Sequence, residues 1–75
     1  MQRVINGLLY DTNTASVVHT EEDTKRKLYK TPNDNFFMFY PTGEIKPKTV
    51  ESTKEYLGKY NVKQYIALFG EPKEA

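Results

Sequence analysis

The stretch Phe36-Phe37-Met38-Phe39-Tyr40 constrains the fold more than any other part of this sequence. Successive side chains of a β-strand point to opposite faces, so a strand here carries large apolar groups on both sides. Such a strand must lie within a sheet, covered twice or left with one sticky face. Pro32-Asn33-Asp34-Asn35 precedes it and reads as a turn, with proline pre-setting the backbone. Leu28-Tyr29-Lys30-Thr31 is then the outgoing strand of a hairpin and the aromatic run the return strand. With Thr31 opposite Phe36, one face holds Tyr29, Phe36, Met38 and Tyr40. The other holds Leu28, Phe37 and Phe39, with Arg26 and Lys30.

The flanking elements are short. Arg3 to Tyr10 contains Asn6-Gly7, a strong hairpin signal because a type I′ turn needs positive φ at both central residues. The alternative is a single strand bulged at Gly7. Asp11 to Thr14 is a turn of side chains that bond their own backbone, and Ala15 to Thr20 is a β-branched strand. An acidic loop, Glu21-Glu22-Asp23, precedes the basic run Lys25-Arg26-Lys27. Glu44 to Lys48 reads as a connector. Thr49 is a good N-cap for a helix over Val50–Tyr60, with Glu51 in its favourable first turn. Val50, Thr53, Leu57 and Tyr60 form its apolar stripe, with Tyr56 beside it. Gly58 weakens that helix and is a candidate for an early end. Asn61 caps a second helix over Val62–Phe69, and Gly70 and Pro72 end it.

The expected fold class is therefore α+β, a small antiparallel sheet of three to four strands followed by two short C-terminal helices. Residues 1–70 make one domain and residues 71–75 a flexible tail. Two short helices cover one sheet face. The other keeps exposed aromatic surface unless the N-terminal segment folds over it. Phe37 and Phe39 are expected to pack with Leu28, leaving Phe36, Met38 and Tyr40 for a wet interface.

Composition narrows the function. With 75 residues the core is thin, and with no cysteine and one histidine neither disulfides nor a zinc centre reinforce it. The net charge of +1 disfavours a non-specific nucleic-acid binder. A base-stacking platform beside Lys25, Arg26, Lys27 and Lys30 would be opposed by the adjoining acidic residues. No apolar run is long enough for a membrane helix, no signal peptide is visible, and a cysteine-free chain fits the cytoplasm. His19 has only Asp11 or Ser16 as unplaced partners, short of a catalytic arrangement. Asp11 and Asp23 lack metal-loop spacing, and the residues around Gly43 form no phosphate loop. A non-enzymatic chain with no cofactor or metal is expected. Its contacts would come from Glu21, Glu22, Asp23, Lys25, Arg26, Lys27, Tyr29, Phe36, Met38 and Tyr40. The basic run is otherwise a solvated strand end.

The pattern INGxxYDTxTA over Ile5–Ala15, with Leu28-Tyr29-Lys30-Thr31, Phe36-Phe37, Ile45-x-Pro47-x-Thr49, Glu55-Tyr56-Leu57 and Tyr65-x-x-Leu68-Phe69-Gly70, runs through nearly the whole chain. It resembles a family of small proteins of prophages and other mobile elements of Gram-positive bacteria. That resemblance implies a genomic setting in which small proteins, anti-CRISPR proteins among them, bind and block a host protein. The expected partner is a host or phage protein. A nucleic-acid-binding regulator and a structural homodimer are the alternatives.

Overall fold

The computed structural model describes residues 1–75. It contains β1 (Gln2–Ile5), β2 (Leu8–Asp11), β3 (Ser16–Thr20), β4 (Lys27–Lys30), β5 (Phe36–Phe39), β6 (Ile45–Lys48), α1 (Val50–Tyr60) and α2 (Val62–Phe69). β1 and β2 form a separate hairpin, and β3-β4-β5-β6 form a four-stranded antiparallel meander. The α+β class and the two C-terminal helices are as the sequence implies. No helix is long and apolar enough to cross a membrane.

β5 is an interior strand of the meander and its two faces are covered by different parts of the chain. On one face Phe36 and Met38 pack with Val18, Leu28 and Leu57, beneath Tyr56, Tyr65, Leu68 and Phe69 of the helices. On the other, Phe37 packs with Tyr10, Tyr29 and Ile45, with Ile5 and Ala15 at the margin. The Phe37 ring stacks on Tyr29 at 5.1 Å and meets the edge of Tyr10 at 5.5 Å. The N-terminal hairpin is thus the second lid. Asn6 and Gly7 have φ of 52° and 78°, and Ile5 pairs with Leu8, which decides for a hairpin over a bulged strand. Asp11 ties it down: its carboxylate accepts from Gln2 Nε2 at 3.0 Å and from the Asn13 N–H at 2.9 Å.

The register of the β4–β5 hairpin corrects the sequence reading. Lys30, not Thr31, lies opposite Phe36. Thr31 pairs instead with Asn35, whose carbonyl accepts the Thr31 N–H at 2.7 Å, while Asp34 donates to the Thr31 carbonyl. Asp34 sits at φ 64°. This is a loop with a left-handed third residue, a place usually held by glycine. A slip of one residue exchanges the faces. Leu28 therefore sides with Phe36 and Met38, and Tyr29 with Phe37 and Phe39. Neither aromatic face is left open. Tyr29, Phe36 and Met38 are 7%, 4% and 7% exposed, so the partner-facing role expected of them is replaced by a core role.

Two further expectations change. Glu44–Lys48 is no mere connector: Ile45–Lys48 is edge strand β6, with Pro47 opposite Phe37. An edge strand tolerates proline because one side of its backbone needs no ladder partner. In α1 only Thr53 and Leu57 of the expected stripe are buried; Val50 and Tyr60 are exposed. Thr49 caps α1 as expected, its Oγ1 accepting the Ser52 N–H at 3.0 Å. Asn61 serves both helices. Its N–H closes α1 on the Leu57 carbonyl at 2.8 Å, and its Oδ1 accepts the Gln64 N–H at 3.2 Å to open α2. Gly58 does not end α1, and a Cβ there would meet only the Tyr65 ring, at 3.9 Å.

The two lids make a quantitative prediction. Phe37→Ala is expected to cost about 3–5 kcal/mol in urea unfolding, because a fully buried ring leaves a cavity. Val4→Ser, on the exposed outer side of the hairpin, is expected to change stability by no more than about 0.5 kcal/mol. Similar losses from both would contradict this placement of the hairpin.

Candidate functional site: a tyrosine-lined cleft beside the charged turn

The segment joining β3 to β4 is a tight, self-bonded turn. The Glu21 N–H donates to the Arg26 carbonyl at 2.8 Å and the Lys25 N–H to the Glu21 carbonyl at 2.9 Å. Lys25 takes a left-handed φ of 63°, and Asp23 Oδ1 accepts the Thr24 N–H at 2.8 Å. The acidic and basic runs therefore fold against each other, and one carboxylate organises them. Glu21 Oε1 accepts Arg26 Nε at 2.8 Å and lies 2.7 Å from the second guanidinium nitrogen. The Thr24 hydroxyl also donates to it. Its other oxygen accepts the hydroxyl of Tyr56, from α1. A turn at one edge of the sheet is thus fastened to the helix layer.

Around this junction opens a cleft of about 550 Å³, within the range of roughly 300–1,000 Å³ common for binding pockets. Tyr40, Tyr56, Tyr60 and His19 line it, together with Arg26, Lys48 and the turn. The Arg26 guanidinium lies 5.8 Å from the centre of the Tyr40 ring, and Lys48 Nζ lies 5.1 Å from that of Tyr56. These are distances at which a cation is drawn to a ring face. Tyr60 stands 5.1 Å from Tyr56 and is exposed. His19 meets the Tyr56 ring edge at 5.7 Å, and its Nδ1 lies 3.1 Å from Asn61 Nδ2. Because Asn61 Oδ1 is held by the Gln64 N–H, the amide nitrogen faces the imidazole, and Nδ1 accepts. His19 contacts Asn61, neither Asp11 nor Ser16.

Burial alone pushes the Glu21 carboxyl up, but the hydrogen bonds from Thr24, Tyr56 and Arg26, with the Arg26 charge, outweigh it and hold it below its ordinary value. Tyr56 is driven far above its ordinary value by burial and then by the Glu21 carboxylate it donates to. Both groups keep one charge state across the physiological range, so the junction is a fixed anion with neutral and cationic donors. Lys48 is lowered by burial, which the Glu55 charge partly offsets, with a smaller lowering from the Arg26 charge.

Six residues singled out from the sequence line the cleft: Glu21, Glu22, Asp23, Arg26, Met38 and Tyr40. Met38 does so as a buried floor residue. Lys25 is exposed and Lys27 half-buried outside it, whereas Tyr29 and Phe36 belong to the core. His19, Lys48, Tyr56 and Tyr60 were missed as site residues. The spacing of Tyr56 and Tyr60, one helical turn apart, was visible but read as core. Nothing local announces that Tyr56 reaches Glu21, which is 35 residues away.

A carboxyl held below its ordinary value of 4.5 contributes stability above that pH, lost as pH falls through its folded-state value. Glu21→Gln is expected to lower thermal stability at neutral pH and flatten the acid limb of the stability curve below it. Tyr56→Phe is expected to cost about 1.5–3 kcal/mol in urea, the scale of a hydrogen bond to a charged group. An acid limb unchanged in Glu21→Gln would remove Glu21 from this role. Comparison with protein-family models, with curated proteins and with solved structures returned no match.

Proposed function

We propose that this chain is a small non-enzymatic protein-binding module of a phage or mobile element, acting in the host cytoplasm by covering a functional surface of a host defence protein. The observation that carries the reading is the Glu21 junction. It holds a turn of mixed charge rigidly beside a cleft walled by tyrosines and an arginine. Tyrosine and arginine dominate binding hot spots, since each offers a large contact area and a polar end. A turn already fixed by its own hydrogen bonds loses little freedom on docking. Exposed Glu22, Asp23, Lys25 and Tyr60 surround the cleft, as a polar rim surrounds an interface centre. The mobile-element setting comes from the INGxxYDTxTA resemblance and is associative.

The net charge of +1 speaks against a nucleic-acid surface, and part of the basic set is already paired. Arg26, Lys30 and Lys46 each face a carboxylate, at 2.7, 2.9 and 4.0 Å. Affinity capture with the tagged chain from lysate of a Gram-positive host is expected to recover one protein in near-equimolar amount. Combining Tyr60→Ala with Glu22→Lys is expected to abolish that recovery. Recovery of nothing above background would count against the proposal, as would a salt-sensitive shift of DNA or RNA at micromolar protein.

A further inference from the structure

Helix α2 is composed like an interior element, yet it sits on the surface. Six of its eight residues, Val62, Tyr65, Ile66, Ala67, Leu68 and Phe69, are apolar, and none is buried. A helix that is apolar on all sides belongs inside a protein. Tyr65, Leu68 and Phe69 turn inward and lie half-buried over the core of Phe36, Met38 and Leu57. The opposite side carries Val62, Lys63, Ile66 and Ala67, with Gly70 at its end, and all of these are exposed, Val62 and Ile66 by 53% and 37%. Their spacing, in pairs four residues apart, keeps them along one side of the helix. Ala67 and Gly70 add little bulk, so a second helix can approach closely. The N-terminal hairpin also exposes Val4, Leu8 and Leu9, but it spends Tyr10 on the core. α2 has no such buried anchor.

Charge says what covers this face. Lys63 is the only charged residue of α2. Lys59 lies just before the helix, and Glu71 and Glu74, against a single Lys73, lie just after it. Lys63, Glu71 and Glu74 are exposed and belong to no ion pair. One end of the helix is thus basic and the other acidic on balance. A second copy laid antiparallel answers both ends. A two-fold axis beside Ile66 and Ala67 sets Lys63 of each copy near Glu71 of the other, and it opposes the two helix dipoles. A parallel copy would set Lys63 against Lys63. We propose that two copies of this chain associate through antiparallel α2 helices, with Val62, Ile66 and Ala67 as the seam and a Lys63–Glu71 pair at each end. Eight residues span only about 12 Å of helix, too short for the roughly 1,000 Å² of a permanent interface, so the association depends on concentration. No α2 residue lines the cleft. The pair therefore carries two open clefts, and the inference is independent of the binding-module reading.

The test is sedimentation equilibrium of the full chain from micromolar to millimolar protein, with thermal unfolding of each variant to show that it is folded. The chain is expected to pass from monomer to dimer and no further, because a two-fold contact closes on itself. Ile66→Lys is expected to leave a monomer throughout. Lys63→Glu is expected to weaken the dimer about tenfold, since two exposed pairs become two repulsions. Adding Glu71→Lys to it is expected to restore association, because each exchanged charge again meets its opposite. Val4→Lys, on the hairpin, is expected to change nothing. A monomer at every concentration would overturn the proposal. So would a dimer that survives Ile66→Lys, one lost in Val4→Lys, or a charge exchange that fails to restore association.

Discussion

Everything in this small structure depends on strand β5 being buried on both faces. Phe37 and Leu28 are fully buried, on opposite sides of one sheet. A chain of this size cannot build two cores independently, so a single strand serves both. The helices seal one side with Leu57, Leu68 and Phe69, and the N-terminal hairpin seals the other with Tyr10. The lids come from the two ends of the chain. Asp11 and Asn61 then act as fasteners. One binds the hairpin to itself, and the other joins two helices through its backbone N–H and its side-chain oxygen.

The cleft is a consequence of that arrangement. α1 lies across the face that carries Met38 and Tyr40, but its lower tyrosines overhang the turn after β3. The gap is closed by polar groups where apolar packing runs out. Glu21 gathers Arg26, Thr24 and Tyr56, so no buried polar side-chain atom is left unpartnered. Opposite-charge runs that would sit on a solvated loop in isolation become an ordered feature through one carboxylate.

Local signals in the sequence were accurate. Asn6-Gly7, the Thr49 cap, the Asn61 cap and the Gly70 stop all concern backbone groups within a few residues, where chemistry and conformation are tightly linked. Non-local signals were less so. Pro32-Asn33-Asp34-Asn35 announced a turn but not its length, because Asp34 adopts a conformation usually left to glycine. That single residue moved Leu28 and Tyr29 to faces other than those expected. The proline in Ile45–Lys48 concealed an edge strand. Six of the expected contact residues line the cleft, and so do Tyr56 and Lys48, which the sequence did not associate with them.

By itself the sequence determined the type and order of every element except β6, the caps and the need for β5 to be central. These follow from side-chain periodicity and from backbone bonds that close over one or two turns. Only the tertiary structure decided which residues share a face, what covers each face and where a cleft opens. Those are settled by register and by contacts between residues far apart in the chain, such as Tyr10 with Phe37 and Glu21 with Tyr56. Their free energy arises only once the sheet has brought the partners together, so no window of the sequence carries it.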